Sequence, residues 1–147
     1  MTIKKQLEGH EGKRNKVYKC TSGKDSIGIG HNIDAKGLPD DIEAFLEDHG
    51  CITDEMIDIL FEQDVEDAIS DCKRLYPNFD DLTEPRQNAL IDFVFNVGYK
   101  TASTFKNTNR AINEERWDDA ADGLLASKYA RQVGRRARDV AEMLRDG

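Results

Sequence analysis

The sequence predicts an α+β fold, predominantly helical, with a small N-terminal β-hairpin region and a helical C-terminal lobe. Three observations carry this. Residues 16–29 alternate, around glycines, like two short paired strands. From Met56 to Leu75 apolar residues recur at helical spacing. The segment from Arg86 to about Val97 is apolar on most sides, as the buried axis of a helical lobe is. The expectation is one domain over residues 1–147, with an N-terminal lobe at about residues 13–60 and a C-terminal lobe at about 61–147 plus the helix 1–11.

Taken in order, Thr2 can cap a first helix whose inner face carries Ile3, Leu7 and Glu11, and Gly12 is its natural stop. Glu11 then sits at the negative end of the helix dipole on the buried stripe, and both circumstances disfavour its charged form. Strands are predicted at residues 16–20 and 25–29, joined by Thr21-Ser22-Gly23-Lys24. Alternation points Ile27 and Ile29 one way and Ser26, Gly28 and Gly30 the other. A Ser-Gly-Gly face packs badly and suits close approach by another molecule. Residues 32–39 read as a loop, residues 40–48 as a short acidic helix ending at Gly50.

Thr53 caps the long helix, whose stripe is Met56, Leu60, Phe61, Val65, Ala68, Ile69, Cys72 and Leu75. Ending before Pro77, it is about 35 Å long, enough to link two lobes with a cleft between them. Asp64, on this helix, is the expected partner of His31. Thr83-Glu84-Pro85 opens the core helix. Further amphipathic segments fall at about residues 103–112, 115–126 and 135–145. Trp117 shares a face with Ala120, Ala121 and Leu124, which marks it as core.

With 29 acidic against 21 basic residues, the net charge of −8 argues against a nucleic-acid partner, because phosphate contacts need a basic surface. The basic stretch Lys128, Arg131, Arg135, Arg136 and Arg138 stands out against that background. It reads either as a solvated helix face or as a receptor for acidic groups. Three cysteines, odd in number and widely spaced, do not make a disulfide scaffold. No run approaches the ~18 apolar residues of a membrane span, and Met1-Thr2-Ile3-Lys4-Lys5 leads into helix without a signal segment. Synthesis in the cytoplasm is therefore expected. The three histidines are scattered, so no metal site and no cofactor is called for, and a monomer is expected.

Eight residues separate Glu11 from Cys20, five separate Cys20 from Ser26, and Gly28-Ile29-Gly30-His31 follows. That spacing resembles the signature of the phage-type lysozymes, the T-even endolysin family of glycoside hydrolases. In that family a Glu is followed nine positions later by Asp or Cys, then six later by Thr, before Gly-x-Gly-His. Leu60-Phe61-Glu62-Gln63-Asp64-Val65 resembles the family's central helix, and Phe93-Val94-Phe95-Asn96-Val97-Gly98 its core helix and the turn after it. Arg116-Trp117-Asp118-Asp119-Ala120-Ala121 and Arg135-Arg136-Ala137-Arg138 resemble its C-terminal helices.

The resemblance implies a lysozyme-like two-lobed fold and hydrolysis of the β-1,4 bond between N-acetylmuramic acid and N-acetylglucosamine in bacterial peptidoglycan. Glu11 would be the general acid, and Cys20 and Ser26 would handle the water or nucleophile side. Gly30, His31, Phe95, Asn96, Gln132 and Arg136 would contact substrate, with Arg136 beside Glu11, and Asp64 would support the site. Cys20 stands where many members have Asp, and Ser26 where most have Thr. A thiolate at Cys20 needs a lowered pKa, which Lys19 or Lys24 could help supply; Ser26 keeps the hydroxyl of Thr. The implied setting is phage lysis of the host, with access to the wall after holin-mediated release. A tail-associated or effector lysozyme, or a peptidoglycan-binding module impaired in catalysis, are the rival readings.

Overall fold

A computed structural model describes residues 2–147. By internal contacts the chain divides into one unit ending at Val65 and another beginning at Glu66.

The first unit opens with α1 (Ile3–Glu11), where the Thr2 hydroxyl accepts from the Lys5 N–H at 3.2 Å. Gly12 ends it with φ +74 and donates to the Glu8 carbonyl. Leu7 is fully buried, while Ile3 is only half-buried. β1 (Arg14–Lys19), β2 (Asp25–Gly28) and β3 (His31–Asn32) form an antiparallel sheet in that order. Tyr18 pairs with Ser26 and Lys19 with Asp25, and a register irregularity separates Arg14 from Tyr18.

The hairpin departs from simple alternation. Gly28 and Gly30 both have φ of +68, so the chain leaves extended conformation at Gly28 and turns into β3, a strand the pattern did not predict. The expectation that Gly28 lies beside Ser26 on a face open to another molecule is corrected. A Cβ at Gly28 would lie 3.4 Å from the buried Ile57, so the close approach here is made by the protein's own core. The predicted loop after His31 begins with a one-turn helix, α2 (Ile33–Lys36), capped by the Asn32 side chain. α3 (Asp40–His49) ends at Gly50 in the left-handed region.

α4 (Asp54–Leu75) starts where the Thr53 hydroxyl accepts from the Met56 N–H at 3.1 Å. Its buried stripe is Ile57, Leu60, Phe61, Asp64, Val65, Ala68 and Cys72; Ile57 takes the inward position assigned to Met56. The division between the units falls within this helix.

In the second unit a 3-10 turn (Phe79–Asp81) precedes α5 (Glu84–Val97), whose residues from Asn88 to Val94 are all buried. Around it run α6 (Tyr99–Ser103), α7 (Lys106–Asn113), α8 (Trp117–Leu125), α9 (Lys128–Val133) and α10 (Arg135–Asp146). Phe93 meets Phe105 and Tyr129 edge to face, at centroid distances of 5.1 and 5.0 Å. Ala120, Ala121 and Leu124 are fully buried, whereas Trp117 is half-buried under the Arg86 guanidinium, 4.2 Å from its ring. Arg86 also donates to the carbonyls of Leu144 and Arg145, which closes the end of α10. Among the described residues no helix is long and apolar enough to cross a membrane.

Candidate active site

α1 delivers Glu11 to the last position before its glycine stop, and the turn between β2 and β3 meets it there. A Cβ built on Gly30 would lie 2.6 Å from Glu11 Cδ and 2.8 Å from Oε2. Only a residue without a side chain leaves room for the carboxyl at this point, and the positive φ imposes the same choice.

On the hairpin, Cys20 follows the last residue of β1. Its N–H donates to the Lys24 carbonyl at 2.9 Å and its carbonyl accepts from Gly23, so the turn Thr21–Lys24 closes on the cysteine itself. The sulfur lies 3.1 Å from Ser22 Oγ. Partial burial alone would raise the thiol pKa. The Ser22 hydroxyl, the backbone N–H groups of Lys24 and Ser22, and the Ser26 hydroxyl outweigh it, and the thiol is held below its usual range. Of the two lysines invoked from sequence, Lys24 acts through its backbone N–H, and Lys19 is engaged with Asp25. Ser26 is buried, its hydroxyl 3.4 Å from the Lys24 carbonyl and within reach of the Cys20 sulfur. The structure thus brings Cys20 and Ser26 together.

Tyr18 is a participant that sequence reasoning missed, although period-two alternation already placed it on the side of Cys20. It is half-buried, with the Arg14 guanidinium 4.8 Å from its ring centre. Burial and the charge of Glu11 raise its phenol pKa, while the Gly30 N–H and Arg14 pull the other way and Cys20 adds a smaller upward push. Tyr18 is therefore sensitive to both Glu11 and Cys20.

His31 is buried, with Nδ1 2.7 Å from Asp64 Oδ2 and Nε2 2.7 Å from the Gly37 carbonyl. Asp64 accepts a second bond from Lys36 Nζ at 3.0 Å. Burial depresses the imidazole pKa, but Asp64 and the Gly37 carbonyl overcome this and Lys36 only partly counters them, so the ring titrates above its ordinary value. These contacts fasten α2 and the start of β3 to α4.

In the second unit, Phe95 and Asn96 are half-buried in the last turn of α5, and the Asn96 Oδ1 has no hydrogen-bond partner. Gln132 is exposed on α9. The basic stretch does not share one environment. Lys128, Arg131, Arg135 and Arg138 are exposed, whereas Arg136 is buried with its Nε 2.8 Å from Oδ1 of the fully buried Asp92. Among the described residues no group of three or more His, Cys, Asp or Glu side chains could hold a metal ion.

The first unit thus holds a carboxyl against a backbone turn and, on its hairpin, a lowered-pKa thiol beside a hydroxyl. The chain is also similar to known proteins. The family model described as phage lysozyme matches residues 8–142. A probable T4-type lysozyme of Dictyostelium discoideum is 27% identical over 99% of this chain and 95% of its own length. An endolysin of Salmonella phage P22 is 31% identical over 85% of this chain and 80% of its own length. A pre-baseplate central spike protein of Enterobacteria phage T4 is 29% identical over the whole chain, which spans 28% of that protein.

Proposed function

Because the chain belongs to the phage lysozyme family and is a peptidoglycan-hydrolysing lysozyme, we propose that it cleaves the β-1,4 bond between N-acetylmuramic acid and N-acetylglucosamine, with Glu11 as general acid. Glu11 gives its proton to the glycosidic oxygen as the bond to the anomeric carbon breaks. Cys20, as thiolate, offsets the developing positive charge and takes a proton from the incoming water, which Ser26 orients. The observation that carries this assignment is the set of hydrogen bonds around the Cys20 sulfur, Ser26 among them, which favours its charged form.

Gly30 makes room for the acid, and His31 with Asp64 holds the turn that carries Gly30. Phe95, Asn96, Gln132 and Arg136 are assigned to substrate contact on family resemblance, to which the unpartnered Asn96 Oδ1 lends support. Host lysis by a phage, after synthesis in the cytoplasm and holin-mediated release, is the setting that the endolysin relative favours. The central spike relative favours a second setting with the same chemistry, delivery on a phage particle.

Mass spectrometry of fragments released from purified walls tests the reaction. A new reducing N-acetylmuramic acid end is expected. Fragments with intact glycan strands, or protein that sediments with the walls without clearing them, would overturn it. Glu11→Gln tests the acid: a folded protein with wall clearing reduced at least about a thousandfold is expected, and near-normal clearing removes Glu11 from the mechanism.

A further inference from the structure

Between residues 13 and 24 a chain that is acidic overall carries five basic residues and no acidic one: Lys13, Arg14, Lys16, Lys19 and Lys24. The strand register sorts them. Tyr18 opposes Ser26 and Lys19 opposes Asp25, so the next pair is Cys20 with Lys24. That pair closes the hairpin, with the Cys20 N–H donating to the Lys24 carbonyl and Gly23, at φ +82, taking the left-handed position of a three-residue turn. Opposed residues project to one side of a sheet and successive residues to opposite sides. Tyr18, Cys20, Lys24 and Ser26 therefore share a face, and Lys19 and Asp25 share the other. Arg14 belongs to the first face, because its guanidinium stands 4.8 Å from the centre of the Tyr18 ring. Lys19 is paired with Asp25, and Lys13 lies 3.6 Å from Asp54. Arg14 and Lys24, both exposed, form no ion pair among the described residues.

We propose that Lys24, assisted by Arg14, binds a carboxylate carried by the muramic acid or its stem peptide, which makes this face of the hairpin a specificity determinant. This rests on the reading of the chain as a muramidase in which Cys20 and Ser26 face the sugar. A glycan lying over those two side chains brings its acidic side groups within the span of the Lys24 arm, which starts about 5 Å from Cys20 across the strand pair. Lys24 gives up no internal ion pair to make the contact, whereas Lys19 would first have to leave Asp25. The Tyr18 ring holds the face of the Arg14 guanidinium and leaves its N–H edge to donate. A protein of net charge −8 is repelled by an anionic wall, so a locally positive face beside the reacting groups is where approach is favoured. The contact is between exposed charges and is weakened by salt.

Lys24→Gln removes the charge and keeps most of the side chain. On purified walls at low salt, KM is expected to rise about fivefold with kcat nearly unchanged, and the difference from the wild type should vanish near about 1 M salt. Lys19→Gln makes the same change in net charge on the other face and should leave KM within about twofold of the wild type. Walls with amidated carboxyl groups should erase the effect of Lys24→Gln, and walls stripped of phosphate polymers should preserve it. A second readout does not depend on turnover: in a Glu11→Gln background, co-sedimentation with walls should weaken by the same factor when Lys24→Gln is added. An unchanged KM and unchanged co-sedimentation in Lys24→Gln overturn the proposal. So does an equal effect in Lys19→Gln, or one that survives amidation. A wild type that releases no new reducing ends would defeat the muramidase reading instead, and co-sedimentation would still decide whether Lys24 takes a carboxylate.

Discussion

His31 and Asp64, 33 positions apart in sequence, lie with Nδ1 and Oδ2 2.7 Å apart, and both side chains are about 95% buried. A buried pair of this kind is costly to break from one side, because the remaining charge is left in a poorly solvating site. Lys36 stays on Asp64 and softens the loss. His31→Asn is expected to destabilise the protein by about 3 kcal/mol at low pH. The folded imidazole pKa is raised, so its contribution is fully present below the unfolded value of about 6.5 and is lost as pH rises through the higher folded value. Urea denaturation at pH 5 and pH 9 checks this: the difference between wild type and variant should shrink at pH 9.

Gly30→Ala combines a left-handed backbone with a collision. The φ of +68 costs a residue with a Cβ about 1–3 kcal/mol, and that Cβ would lie 2.6 Å from Glu11 Cδ. The carboxyl has to move. Wall clearing should fall by about a hundredfold or more while circular dichroism still reports a folded protein. A fully active alanine variant would mean that the carboxyl position is not critical.

Thiol modification separates the three cysteines. Cys72 is fully buried and its pKa is pushed far above the ordinary thiol range by burial, so it should be inert. Cys20 is partly exposed with a lowered pKa and should react first. In a Cys51→Ser background, iodoacetamide should abolish activity in step with Cys20 labelling measured by mass spectrometry. Cys20→Asp should be active and resistant. Full activity after complete labelling of Cys20 would exclude a thiolate role.

Arg136→Met leaves the fully buried Asp92 carboxylate without its 2.8 Å partner. The expected loss is about 3–5 kcal/mol, visible as a lowered thermal midpoint in the absence of substrate. A variant as stable as the wild type would mean that the buried pair with Asp92 does not hold the fold together.

The elements set by local rules were legible in the chain. Thr2, Thr53 and Thr83 cap the helices whose starts they signal, and the apolar block around Leu90 and Phe93 is a buried helix. Beyond local range the reading lost detail. Period two was carried through Gly28 and Gly30, where positive φ turns the chain instead, so β3 and the packing of Gly28 on Ile57 were missed. The one-turn helix α2 and the six-residue α9 are too short to leave a periodic signal. Arg136 read as one of a run of surface cations because its partner, Asp92, lies 44 positions away. The same limit hid Tyr18, whose place is set by a strand register and a turn that alternation alone does not fix.

The placement of Trp117 beneath Arg86 has a practical consequence. As the chain's sole tryptophan, it makes selectively excited tryptophan fluorescence a reporter of the second unit alone. Far-ultraviolet ellipticity registers helices in both. Melts of His31→Asn followed by the two signals together would separate at acid pH if the units lose structure independently, and would superimpose if they unfold as one cooperative body.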